Sequence, residues 1–199
     1  YADNILVDSL YAYNTSNAIY LRIGARNTGR PPGTLKNVTI QNMYCEIPAK
    51  KADADYPYEG PIEDNPRNIS PAGIVGLEGG HDIENIVIRN VHLVYPGGGN
   101  THYAYRGLKP ADLDSIPEMP RSYPEFSQFR ELPAWAFWVR HARNVVFENV
   151  KVTAKERDYR PAFVIQETDG VTFHNVTFEE PGGRKKQIHT CKTKNVVQK

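Results

Sequence analysis

Six side chains stand out for what they could do together. Tyr20 and Arg22 lie two residues apart, and Trp138 and Arg140 repeat that aromatic-x-Arg spacing. Arg26 and His141 follow each pair. An aromatic ring can pack on the apolar face of a pyranose, and a guanidinium presents a planar fork to a carboxylate. The combination suits the binding of an acidic polysaccharide. Hydrolysing a glycosidic bond needs more, namely two carboxyl groups, one of them an acid with a raised pKa. Nothing in the spacing of Glu78, Glu131 or Glu167 argues for that role, so no catalytic residue is assigned. The six histidines show no ligand spacing with Cys, Asp or Glu, and no metal or cofactor is expected. Gly97-Gly-Gly99 opens no helix and reads as a turn, not a phosphate cradle. A plainer reading of the same residues stays open. Trp138 would be covered by the long loop before it, Arg140 paired with a surface acid, and Arg26 solvated.

These side chains depend on strands. In Asn17-Ala-Ile-Tyr-Leu-Arg-Ile23, Ile19, Leu21 and Ile23 alternate with Tyr20 and Arg22, which is a strand with one buried face. If Phe137 and Val139 also point inward, Tyr20, Arg22, Trp138 and Arg140 all face outward on one side. A second pattern recurs beside these strands. It reads Asp3-Asn-Ile-Leu-Val-Asp-Ser-Leu10, Lys36-Asn-Val-Thr-Ile-Gln-Asn-Met43, Glu84-Asn-Ile-Val-Ile-Arg-Asn-Val91 and Arg143-Asn-Val-Val-Phe-Glu-Asn-Val150. Asp169-Gly-Val-Thr-Phe-His-Asn-Val176 follows, and Lys194-Asn-Val-Val197 is a truncated copy. Counted from Asn4, the spacings are 33, 48, 59, 26 and 25 residues. The last two set a base unit of about 25 residues, and the longer ones contain inserted loops.

Short strands at that period predict an all-β, single-stranded, right-handed parallel β-helix forming one domain over 1–199. Two insertions interrupt it, at about 48–72 and 95–133. The second carries Tyr123, Phe126, Phe129 and Leu132, so it is expected to pack over a face of the helix. Asn42, Asn90, Asn149 and Asn175 share one repeat position. Asn tolerates left-handed backbone, and stacked copies would form an amide ladder. No convincing helix is expected, because Leu108 to Met119 is interrupted by Pro110 and Pro117. A β-sandwich fits less well, since hairpin signals are nearly missing.

Composition excludes some functions. The chain has 199 residues, 24 basic and 23 acidic, for a net charge of +1. No global field favours nucleic acid or an anionic membrane. No apolar run approaches the ~18 residues of a membrane span. Cys45 and Cys191 are far apart in sequence and read as two free thiols, with one disulfide as the alternative.

Several segments together resemble the polygalacturonase-like enzymes of glycoside hydrolase family 28, Bacteroides-type branch. They are Asn17 to Ile23 with Gly33 to Asn42, Tyr95-Pro-Gly-Gly-Gly99, Tyr123-Pro-Glu-Phe126 and Leu132-Pro-Ala-Trp-Ala-Phe-Trp-Val-Arg-His141. The resemblance implies an inverting glycoside hydrolase acting on pectic, uronate-containing polysaccharide, in a secreted or periplasmic setting. Tyr20, Arg22, Arg26, Trp138, Arg140 and His141, singled out above by type and spacing, would then line the substrate groove. The family's Asn-Thr-Asp, Asp-Asp and Gly-His-Gly motifs do not occur here. By that alignment the chain corresponds to the C-terminal part of such an enzyme, with upstream β-helix coils of the same protein as its partner. Alone it is expected to be inactive. Tyr20 and Arg22 fall where relatives carry Arg and Lys, so the groove is related but not identical. The competing reading is a non-catalytic carbohydrate-binding or structural β-helix. A β-helical lyase, with calcium or a basic residue at the cleavage position, is less favoured for want of an Asp cluster on the strands.

Overall fold

The computed structural model describes residues 1–50, 65–102, 107–123 and 125–199. Most of the 48–72 insertion, including Ala52-Asp-Ala-Asp55, therefore lies outside the described residues, as do 103–106 and 124 of the second insertion. The described chain is all-β with a parallel sheet. Its strands are β1 (Ala2–Tyr13), β2 (Tyr20–Arg22), β3 (Leu35–Glu46), β4 (Ala72–Val75) and β5 (Ile83–Tyr95). A helical turn α1 (Pro110–Asp114) and a 3-10 turn (Phe126–Phe129) follow, then β6 (Phe137–Ala154), β7 (Phe163–Glu179), β8 (Ile188–Cys191) and β9 (Lys194–Gln198).

All pairings between these strands are parallel, which rules against the hairpins of a sandwich. They form two ladders. The short one joins β2, β4, the first residues of β6 and β7, and β8, with Leu21, Ile74, Val139, Ile165 and Thr190 in register. The long one joins β1, β3, β5, the remainder of β6 and β7, and β9. β6 and β7 run through both, and each bends between the ladders at a left-handed residue, His141 (φ 50°) and Glu167 (φ 46°).

Asparagine sets the other bends. Asn42, Asn90, Asn149 and Asn175 all have φ between 51° and 54°. Each left-handed residue shifts the parity of the side-chain alternation. In β5, Ile86 and Ile88 point inward before Asn90, and Val91 and Leu93 after it. The predicted amide ladder is present. Asn175 donates to Asn149 (2.8 Å), Asn149 to Asn90 (3.1 Å), Asn90 to Asn42 (3.1 Å), and Asn42 to Asp8 (2.8 Å). A second ladder, not anticipated, runs through Asn144, Asn85 and Asn37 to Asp3.

The inner faces of both ladders share one core that includes Val38, Ile74, Ile86, Val139, Val145, Ile165 and Val171. Register places like residues side by side. Phe137 stacks on Phe163 at 5.0 Å and Phe147 on Phe173 at 5.4 Å. Cys45 and Cys191 are free and buried, and burial pushes the Cys45 thiol up to about 11.

The expectation of no helix is corrected by α1. Pro110 begins it, where its missing N–H is no loss, and the backbone N–H of Lys109 donates to the Asp112 carboxylate at 3.1 Å. Pro117 lies just beyond its end. The same prolines that break a long helix frame a short one.

Candidate functional site

The outer face of the short ladder carries the predicted residues in two neighbouring rows. Tyr20, Gly73, Trp138, Val164 and His189 form one; Arg22, Val75, Arg140, Gln166 and Cys191 form the other. Their direction is as expected, since Ile19, Ile23, Phe137 and Val139 belong to the inner core. Gly73 leaves space for its neighbour: a Cβ there would sit 3.2 Å from the Tyr20 ring.

The expectation of exposure is corrected. The second insertion lies across this face and builds a separate apolar cluster on it, from Leu113, Ile116, Phe129 and Leu132 against Val75, Trp138 and Val164. Trp138 is 0% exposed and packs edge-on against Phe129 at 5.0 Å. Arg140 and His141 are also buried. The physical reason is in the insertion itself, whose apolar side chains bury against Val75, Trp138 and Val164 on the outer face of the short ladder.

The polar tips hold the insertion down. Tyr20 donates its hydroxyl to the Glu125 carbonyl at 2.8 Å, and burial outweighs the nearby Arg22 to push the phenol pKa upward. Arg22 donates to the carbonyls of Glu118 (3.2 Å), Tyr123 (3.3 Å) and Met119, and its guanidinium lies 4.9 Å over the Phe129 ring. Arg140 donates to the Ile116 carbonyl at 2.7 Å. Tyr20, Arg22 and Arg140, three of the side chains aimed at a sugar, are thus spent on insertion backbone.

At one margin of the insertion charges converge. His141 Nε2 lies 2.7 Å from Glu118 Oε1 and 3.3 Å from Glu167 Oε2. Arg140 reaches Glu167 at 3.4 Å, and Lys192 reaches Glu167 at 3.4 Å and Asp114 at 2.8 Å. Hydrogen bonds from Lys192 hold the Asp114 carboxyl below its usual range and raise the Lys192 ammonium. Sequence spacing could not find Glu118, Asp114 or Lys192, because their meeting depends on where the insertion folds back. Of the cluster's carboxylates, Glu167 is engaged by Arg140 and Lys192 and Asp114 by Lys192, and Glu118 accepts from the backbone N–H of Glu78 and lies beside His141.

At the other margin one predicted residue remains accessible. Arg26 is exposed, and its guanidinium lies 5.0 Å over the ring of Tyr123, which is 44% exposed. Tyr123 was read only as part of the insertion. The pair stands beside β2, which among the described strands pairs only with β4, so it sits at the open end of the short ladder. Among the described residues no group of His, Cys, Asp and Glu could hold a metal ion, and no helix is long and apolar enough to cross a membrane. No family model, curated protein or solved structure matches the chain.

Proposed function

We propose that this chain is a stretch of a right-handed parallel β-helix from a polygalacturonase-type glycoside hydrolase, and that it binds acidic polysaccharide at the Arg26–Tyr123 margin. The β-helix reading is supported by two in-register parallel ladders that share a core and bend at repeated left-handed asparagines. The observation that carries the binding reading is the exposed guanidinium stacked on an exposed aromatic ring. A pyranose can cover the ring face that Arg26 leaves free, with its carboxylate turned to the guanidinium. The buried members of the predicted groove then serve a different purpose. Arg22 and Tyr20 fix the backbone at Glu118–Glu125 and so fix where Tyr123 stands.

The catalytic carboxylates belong to coils preceding β1 in this reading, in a secreted or periplasmic enzyme. A non-catalytic binding module is the second reading, and the engagement of Glu167 by Arg140 and Lys192 and of Asp114 by Lys192 favours it for this portion taken alone.

Calorimetric titration with hexagalacturonate tests the binding. Tyr123→Ala and Arg26→Ala should each weaken it about tenfold, equivalent to ~1.4 kcal/mol. Undiminished binding by both variants overturns the assignment. A reducing-end assay of this chain on polygalacturonate should show no turnover, and clear turnover would show that its own carboxylates are catalytic.

A further inference from the structure

The outer face of the long ladder carries a second depression, of about 350 Å³, that no described residue of the 107–133 insertion lines. Its wall is the in-register row Tyr11, Tyr44 and His92, and its floor is the asparagine ladder at Asn42, Asn90 and Asn149. Tyr11 stacks on Tyr44 at 5.4 Å, and Tyr44 meets His92 edge-on at 5.3 Å. Because the tyrosines stack on one another along the ladder, they present their electropositive edges to the depression. Tyr11, 71% exposed, ends the row with Tyr13 tilted beside it at 6.1 Å.

The floor has unspent capacity. Within the ladder each amide donates one N–H to the neighbour before it, and Asn42, Asn90 and Asn149 each accept one bond from the neighbour after. A primary amide has a second N–H and a second lone pair. These side chains are exposed, so the spare donors and acceptors alternate along the depression at the strand spacing of ~4.8 Å. Charge is nearly cancelled there. Lys151, the one ionic side chain among the described residues that line it, is paired with Glu179 at 2.8 Å, and burial and that ammonium both work against a charge on His92.

We infer that this depression is a second carbohydrate site, and that it takes a neutral glycan chain lying along the ladder. Hydroxyls both donate and accept, which is what a row of half-used amides requires, and their oxygens suit ring edges. A uronate chain would bring carboxylates to a lining whose ammonium, Lys151, is already paired with Glu179. A further coil pairing with β1 would lengthen the aromatic row rather than cover it, because it adds at the strand edge and not on the outer face.

The test is titration of the full chain with cellohexaose and, separately, hexagalacturonate, followed by nitrogen-15 amide shifts. Cellohexaose should move the amides of Asn42, Asn90 and Asn149 but not those of Arg26 and Tyr123. Tyr44→Ala should weaken it about tenfold. Tyr11→Ser, at the exposed end of the row, cannot disturb the core and should weaken it in the same direction. Both variants should leave hexagalacturonate binding at Arg26 unchanged, so failure here is distinguishable from failure of the proposed function. No shift at the asparagines overturns the inference, as does preference for hexagalacturonate at these positions. A loss of self-association in Tyr11→Ser without any glycan effect also overturns it, and makes the face a contact between copies.

Discussion

At the scale of single residues, the most consequential polar pair lies away from both proposed sugar sites. Asp158 and Arg160 are each almost wholly buried and bonded through two contacts of 2.9 Å. Arg160 also donates to the carbonyls of Ile69 and Leu132, and Asp158 accepts from the backbone N–H of Gly99. One ion pair thus ties both insertions to the β6–β7 connection. Gly99 is required for it, since a Cβ there would stand 2.6 Å from the Asp158 carboxylate. Burial works to raise the Asp158 carboxyl, but the Arg160 guanidinium and the backbone donors outweigh it and leave the pKa lowered. A carboxyl depressed on folding adds stability that is fully present above its unfolded value near 3.8 and is lost as pH falls through the lower folded value. Asp158→Asn strands a buried guanidinium and should cost about 3 kcal/mol at neutral pH. The cost should shrink as pH falls below 3.8, where the carboxyl of the unfolded wild-type chain takes up a proton before the folded one does. Urea unfolding of both proteins at neutral pH and near pH 3 checks this, and equal midpoints at neutral pH would refute it.

At the scale of elements, the asparagines do two jobs at once. Asn90 holds a left-handed backbone at φ 52° and donates one rung of the amide ladder while accepting another. Asn90→Ala loses both rungs and strains the backbone, for roughly 1–2 kcal/mol in all. Asn90→Gly relieves the strain but not the lost rungs, so it should fall between the two. Thermal melts ordered wild type, Gly, Ala verify the split; Gly and Ala melting together would mean the conformation costs nothing. This double role is why the ladder was legible in sequence. A residue type fixed by backbone conformation recurs at a fixed place, and so does the alternation around it. The direction of Tyr20, Arg22, Trp138 and Arg140 was legible for the same reason, being a matter of parity. Their burial was not. It depends on Leu113, Ile116 and Phe129 arriving from an insertion with no period of its own. Helix α1 was missed on similar grounds, because a proline that forbids a helix interior also favours its first turn.

At the scale of the whole molecule, the two ends of the long ladder differ from its middle. Ile5 and Leu10 of β1 stand in register with Val38 and Met43, which are buried, yet they are 37% and 39% exposed. Among the described strands β1 pairs only with β3, so its other edge offers 12 residues of backbone and an apolar rim to any strand of matching register. Parallel edges of this kind are templates for further pairing. In the proposed β-helix, preceding coils of the same protein occupy that edge. For the present chain by itself the edge is open, and concentrated solutions should associate through it. Ile5→Lys places a charge on the rim and should keep the chain monomeric, while Lys194→Glu at the far end should not. Sedimentation velocity over a hundredfold range of concentration distinguishes these cases. A wild-type chain that stays monomeric throughout would mean that β1 shields its own edge.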